Sequence, residues 1–125
     1  MIKIFIYGPV LKKNSAAGKA RAEYIKRLSR IATVTFKKLP AQLPEDCIVF
    51  FSGGDQISSP ELAQRLSESL THGSQLHLVL ADDPTDHPQP IQLTSLPLSE
   101  ETESVLLLEQ IYRAFKIMAK EPYHK

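Results

Sequence analysis

The side chains best suited to chemistry in this chain of 125 residues gather at its end, where Tyr123 and His124 follow Pro122 and precede Lys125. An imidazole titrates near neutral pH and can steer or accept a proton, so His124 beside a phenol suits acid–base work. From the residues alone the same pair reads more readily as a frayed tail than as a site, because termini are ordered only where something ties them down. Arg113, earlier in the same segment, offers a guanidinium to a phosphate or to the tail, though a helix-surface arginine is more often a solvated charge. His72, His77 and His87 show no metal-ligand spacing with one another or with Cys47, so no zinc pattern emerges. Asp82, Asp83 and Asp86 are hard oxygen donors that suit a divalent ion, but they lack the glycine and terminal glutamate of a calcium loop and read as a solvated acidic turn. Gly53-Gly54 is not followed by the G-K-[ST] of a phosphate loop, and no Ser-His-Asp or Cys-His set can be picked out. No metal is expected.

The elements that would position these groups alternate between strand and helix, which predicts an α/β fold with a mostly parallel sheet flanked by helices. Ile2 to Tyr7 reads as a first strand, stopped by Gly8 and Pro9. Ser15 to Leu28 reads as a helix burying Ala20, Tyr24, Ile25 and Leu28, with Lys19, Arg21, Lys26, Arg27 and Arg30 in solvent. Ile31 to Lys38 alternates like a strand with one wetter face, and Leu39 to Asp46 is a proline-punctuated loop. Cys47 to Phe51 is a buried-strand run, and Ser52 to Asp55 reads as the turn after it. Ser58-Ser59-Pro60-Glu61 offers a capping box for a helix with Leu62, Ala63, Leu66 and Leu70 on its inner face, closed by Gly73. Leu76 to Leu80 is another buried strand, Ala81 to Pro90 a polar, proline-rich loop, and Leu93 to Leu98 a short strand or ordered loop.

The last helix is the best specified. Ser99 is its N-cap, and Glu100, Glu101 and Glu103 place negative charge where the helix dipole favours it. Val105, Leu108, Ile111, Tyr112, Phe115 and Met118 form an apolar stripe that Leu106 and Leu107 widen. A stripe that broad in one small domain predicts a homodimer.

Composition bounds the rest. The length fits one domain over residues 1–125, and 42% apolar with 23% charged residues is ordinary for a globular protein. A net charge of +1 gives no global pull toward nucleic acid, so any RNA contact rests on local groups such as Lys12, Lys13 and the first helix. The lone Cys47 excludes an intramolecular disulfide and suits a reducing cytoplasm. No run approaches the roughly 18 apolar residues of a membrane span.

Beyond physics, the ending L-L-E-Q-I-Y-R-A-F-K-I-M-A-K-E-P-Y-H-K (Leu107 to Lys125) resembles the C-terminus of the ribosomal RNA large subunit methyltransferase H family, small enzymes of the SPOUT class. E-Y-I-K-R-L at Glu23 to Leu28 and S-S-P-E-L-A-Q-R-L at Ser58 to Leu66 are similar to their counterparts. The resemblance implies a SPOUT-type sheet with a C-terminal trefoil knot, a homodimer acting on the ribosome in the cytoplasm, and methyl transfer from S-adenosylmethionine to N3 of a pseudouridine in large-subunit rRNA. It implies an acceptor side at Tyr123, His124 and Arg113. It also implies a cofactor side at Phe50, at Asp82 and along Leu93-Thr94-Ser95-Leu96-Pro97-Leu98, which resembles the family's adenine-wrapping L-S-x-L-T-L loop.

Departures from the family are specific. Its further helix between the second and third strands is replaced by Leu39 to Asp46. Its glycine-rich cofactor loop is replaced by Ala81-Asp82-Asp83, which adds bulk and removes backbone freedom. Its P-H pair is replaced near Ser99 and Glu100, and Pro97 removes one N–H donor. Two functions stay open at this point: the methyltransferase, or a relative that keeps fold and dimer, has lost the cofactor, and serves as a ribosome-binding or protein-interaction module.

Overall fold

Apolar side chains at every second position make strands of Ile2–Tyr7 (β1), Ala32–Lys37 (β2) and Gln75–Leu80 (β4), while Ile48–Gln56 (β3) is apolar in its first half. With the two-residue strand Ile91–Gln92 (β5) they form one five-stranded sheet of order β2-β1-β4-β3-β5, and each pairing in it is parallel. The helices are Ala16–Leu28 (α1), Ser59–Leu70 (α2) and Glu100–Met118 (α3). This computed structural model describes residues 1–8, 11–12, 14–44, 46–81, 90–94, 96 and 98–120. The step from β4 to β5, on which a knot would depend, runs through 82–89 and lies outside them.

Helix starts follow the sequence. Ser58 Oγ accepts the Glu61 N–H at 3.2 Å while the Glu61 carboxylate accepts the Ser58 N–H at 3.0 Å, the expected capping box. Those bonds, the backbone one foremost, hold the Glu61 carboxyl below its ordinary range. Ser15 and Ser99 cap α1 and α3 in the same way, accepting from the Gly18 and Thr102 amides.

All three helices bury their apolar faces in one core, with Ile4, Ile6, Phe50, Leu76, Leu78 and Leu80 from the sheet beneath them. Helix α3 packs against both α1 and α2, and its fully buried positions are Ser104, Leu107, Leu108 and Ile111, followed by Ala114 and Phe115. The expected stripe is therefore rotated: Val105, Tyr112 and Met118 are only half-buried. The middle helix of three is flanked on two sides, so its buried arc centres between its neighbours.

The opposite face of the sheet carries a smaller cluster of Tyr7, Cys47, Val49 and Val79, against which Phe5, Leu43 and Ala81 pack. No described helix covers it. Chirality explains the asymmetry. The steps β1 to β2 and β3 to β4 cross the sheet in one direction and carry α1 and α2. The step β2 to β3 returns the other way, and a right-handed crossover sends it over the other face. Leu43 of that connection packs there accordingly.

Three expectations are corrected. Ser52 to Asp55 is not a turn, because β3 continues to Gln56 when β5 supplies a partner: the Asp55 N–H donates to Pro90 O at 3.0 Å, and Asp55 and Gln56 register with Ile91 and Gln92. The strand near residue 93 falls earlier, at Ile91–Gln92, with Leu93 just beyond it. Arg21 is not in solvent. It is 7% exposed, and its Cζ lies 3.3 Å from the centre of the Phe36 ring. The aromatic face on edge strand β2 accepts the guanidinium and its stem, and burial lowers the Arg21 pKa from its ordinary value.

The core assignment is testable by urea unfolding. Leu107→Ala empties a fully buried position and should cost about 2–5 kcal/mol, whereas exposed Thr33→Ala should stay within about 0.5 kcal/mol. Equal midpoints for the two variants would refute the packing described.

Candidate functional site

In a parallel α/β sheet, ligands bind outside the carboxyl ends of the strands, where neighbouring chain segments part. That edge holds Phe50, which is 2% exposed and whose carbonyl accepts the Ala81 N–H at 2.9 Å. Beside it Ile57, Leu62 and Leu93 make an apolar wall, and Ser58, Gln92 and Gln110 supply polar groups. The cleft between them measures about 10 Å³, room for about one water. It is shut among the described residues, so a larger ligand enters only if a wall moves.

One wall has the means. After β5 the chain turns, the Leu96 N–H donating to Thr94 Oγ1 at 3.2 Å. Leu96 and Leu98 then stand 69% and 37% exposed. They are exposed apolar surface that follows cleft-lining Leu93 in the chain.

Gly54 fixes where this segment begins. A Cβ there would sit 2.6 Å from Pro90 O and 2.8 Å from the Ile91 carbonyl carbon, both backbone atoms, which cannot swing aside as a side chain does. Glycine is thus required for the close approach of β3 to β5, not for a turn. The next residues after β5 are those that border the cleft.

A polar chain links the cleft to Arg113. Ser59 Oγ donates to Gln110 Oε1 at 3.2 Å, and Gln110 Nε2 donates to Glu109 Oε2 at 2.7 Å. Arg113 Nε lies 4.0 Å from Glu109 Oε1, a loose ion pair of partly buried groups. Both members make further contacts.

Of the residues singled out from sequence, the structure brings Phe50 and Leu93 together and sets Thr94 beside them. It leaves Leu96 and Leu98 outside and ties Arg113 in through Glu109. Asp82, Ser95, Pro97, Tyr123 and His124 lie outside the described residues, as do Asp83, Asp86 and His87. Sequence reading passed over Gln110, Gln92, Ile57, Ser58 and Leu62. For Gln110 a signal existed, since it is the Q of the E-Q-x-Y-R-A-F-K-I-M run. Cys47 is buried, and burial, then nearby Asp46, pushes its thiol above the ordinary range. Among the described residues no group of three or more His, Cys, Asp and Glu could hold a metal ion, and no helix is long and apolar enough to cross a membrane.

A parallel sheet with helices and a small closed cleft at its carboxyl edge is the setting in which the comparisons fall. Residues 41–124 match the family described as "Predicted SPOUT methyltransferase". Ribosomal RNA large subunit methyltransferase H 1 of Thermoanaerobacter sp. (strain X514) is 34% identical over 112 residues, covering 82% of this chain and 84% of that protein. Ribosomal RNA large subunit methyltransferase H of Koribacter versatilis is 30% identical over 133 aligned positions, with 90% of each chain covered. That of Bifidobacterium animalis subsp. lactis is 42% identical over 80 residues, covering 58% of this chain and 50% of its own. The chain belongs to the ribosomal RNA large subunit methyltransferase H family of SPOUT methyltransferases.

Gly54→Ala should separate β5 from β3. The expected result is a destabilisation of about 1–3 kcal/mol, as for overpacking, with faster amide exchange at Asp55, whose N–H makes the pairing bond. Unchanged exchange at Asp55 would show that the close approach does not hold the segment.

Proposed function

We propose that this chain methylates N3 of a pseudouridine in large-subunit ribosomal RNA, using S-adenosylmethionine. The observation that carries the proposal is the convergence of Phe50 and Leu93 with Ser58 and Gln110 at the carboxyl edge of β3 and β5. Membership of the family and the names of the relatives support the same reading.

The lining suits an adenosine. Phe50, Ile57, Leu62 and Leu93 offer an apolar seat, while Ser58, Gln92 and Gln110 offer the few polar groups that orient a nucleoside in such a seat. Bound there, the cofactor supplies a methyl group activated by its sulfonium. Thr94, Ser95, Leu96, Pro97 and Leu98 cover the adenine, chiefly through backbone groups, and the exposed leucines gain shelter as they do so. Asp82 borders the amino acid end.

On the acceptor side, Arg113 holds a phosphate and keeps its orientation through Glu109. His124, with Tyr123 preceding it in the chain, would accept the N3 proton of the acceptor base. Most of the rate comes from holding the two reactants in register. The protein acts as a homodimer on the ribosome in the cytoplasm, each tail completing a site of the partner subunit.

The test uses ribosomes whose rRNA lacks the methyl group, with radiolabelled S-adenosylmethionine. Label should enter large-subunit rRNA at one pseudouridine, and His124→Ala should slow transfer about 10²-fold or more. Labelling no greater than in an enzyme-free control would overturn the proposal and favour the ribosome-binding module without catalysis.

A further inference from the structure

The face of the sheet that no described helix covers has a composition of its own. Register aligns Lys3, Phe5 and Tyr7 of β1 with Thr33, Thr35 and Lys37 of β2, and with Gln75, His77 and Val79 of β4, so these nine side chains share one surface. No carboxylate is among them. Lys3, Thr33, Thr35, Lys37 and Gln75 are exposed, and Phe5 and His77 are half-buried.

The rings are organised. Phe5 and His77 stack with centroids 5.2 Å apart and planes 13° apart, and Tyr7 continues the row at 6.0 Å and 16°. The Tyr7 hydroxyl and His77 Nδ1 are 3.0 Å apart, which fixes the imidazole. Lys37 Nζ lies 4.9 Å from the centre of the Phe5 ring. Next to this row opens a polar cleft of about 390 Å³, bordered by Gln75, His77, His72, Ser69, Ser74 and Asp46. That volume lies in the range of small-molecule sites. Among the described residues, Asp46 is the one acid on its rim.

Aromatic rings flanked by ammonium groups, without carboxylates, match the chemistry of a single-stranded nucleic acid: bases stack on rings and cations meet the phosphates. A protein partner fits less well, since the cores of such interfaces are depleted in lysine. We propose that this face binds single-stranded RNA, with bases against the half-buried Phe5 and His77, which buried Tyr7 backs, a nucleotide in the adjoining cleft, and Lys3 and Lys37 on phosphates. It would be a second RNA contact, on the side of the sheet away from the helices. The proposal goes beyond methyl transfer and holds whether or not the donor cleft loads, because binding is read without cofactor.

Fluorescence anisotropy with a short end-labelled oligouridylate tests it on the full chain. Phe5→Leu keeps an apolar side chain in the sheet but removes the ring, and should weaken binding about tenfold. Exposed Lys37→Glu should weaken it as well and reduce the salt slope by about 0.7, the share of one phosphate on a single strand. Ser67→Glu, an exposed change on α2, should match wild type. Thermal unfolding reports whether Phe5→Leu folds, and Lys37→Glu stands as the independent reading if it does not. Wild-type affinity in Lys37→Glu, or no binding by the wild-type chain at low salt, overturns the proposal. So does a concentration-dependent loss of dimer in Lys37→Glu, which would assign the face to a second copy.

Discussion

Backbone meets backbone where β3 passes β5, and only a residue without a Cβ can stand at position 54. Pro90 O fills the space that a side chain would need, and accepts the Asp55 N–H at 3.0 Å. This contact turns the end of β3 from a loop into the partner of a two-residue strand. It thereby sets where Leu93 and the residues after it begin. The cleft at Phe50 and Leu93, the exposed Leu96 and Leu98, and the entry into α3 all follow from that placement.

A second constraint is chirality. Right-handed crossovers place α1 and α2 on one face of the sheet, and α3 settles between them. The return connection over the other face runs from Lys38 to Cys47, and Leu43 and Cys47 of it pack there. The same fold thus has a well-buried side that carries stability and an open side whose aromatic residues and lysines meet solvent.

Much of this was legible in the sequence, for local reasons. The capping box at Ser58 and Glu61, the N-cap at Ser99 and the apolar runs of β1, β3 and β4 rest on neighbours a few residues away, and the structure places them where the pattern did. What escaped depended on distant partners. Ser52 to Asp55 looks like a turn until β5 pairs with it from about forty residues on. Arg21 looks solvated until the Phe36 ring receives it. Gln110 looks like one more polar helix position until Ser59 of α2 donates to it. The two-sided packing of α3 likewise rotated a stripe that periodicity had drawn around a single face. Family identity was legible for a different reason: the final helix and tail match a known pattern, which no periodicity could have supplied.

Methyl transfer as proposed depends on the cleft at Phe50 and Leu93 accepting S-adenosylmethionine although it is shut among the described residues. Calorimetric titration of the cofactor into the wild-type protein measures this directly. A saturable heat with one site per chain is predicted, accompanied by a negative heat-capacity change as Leu96 and Leu98 are covered. Absence of heat at several temperatures, up to millimolar cofactor, would contradict it.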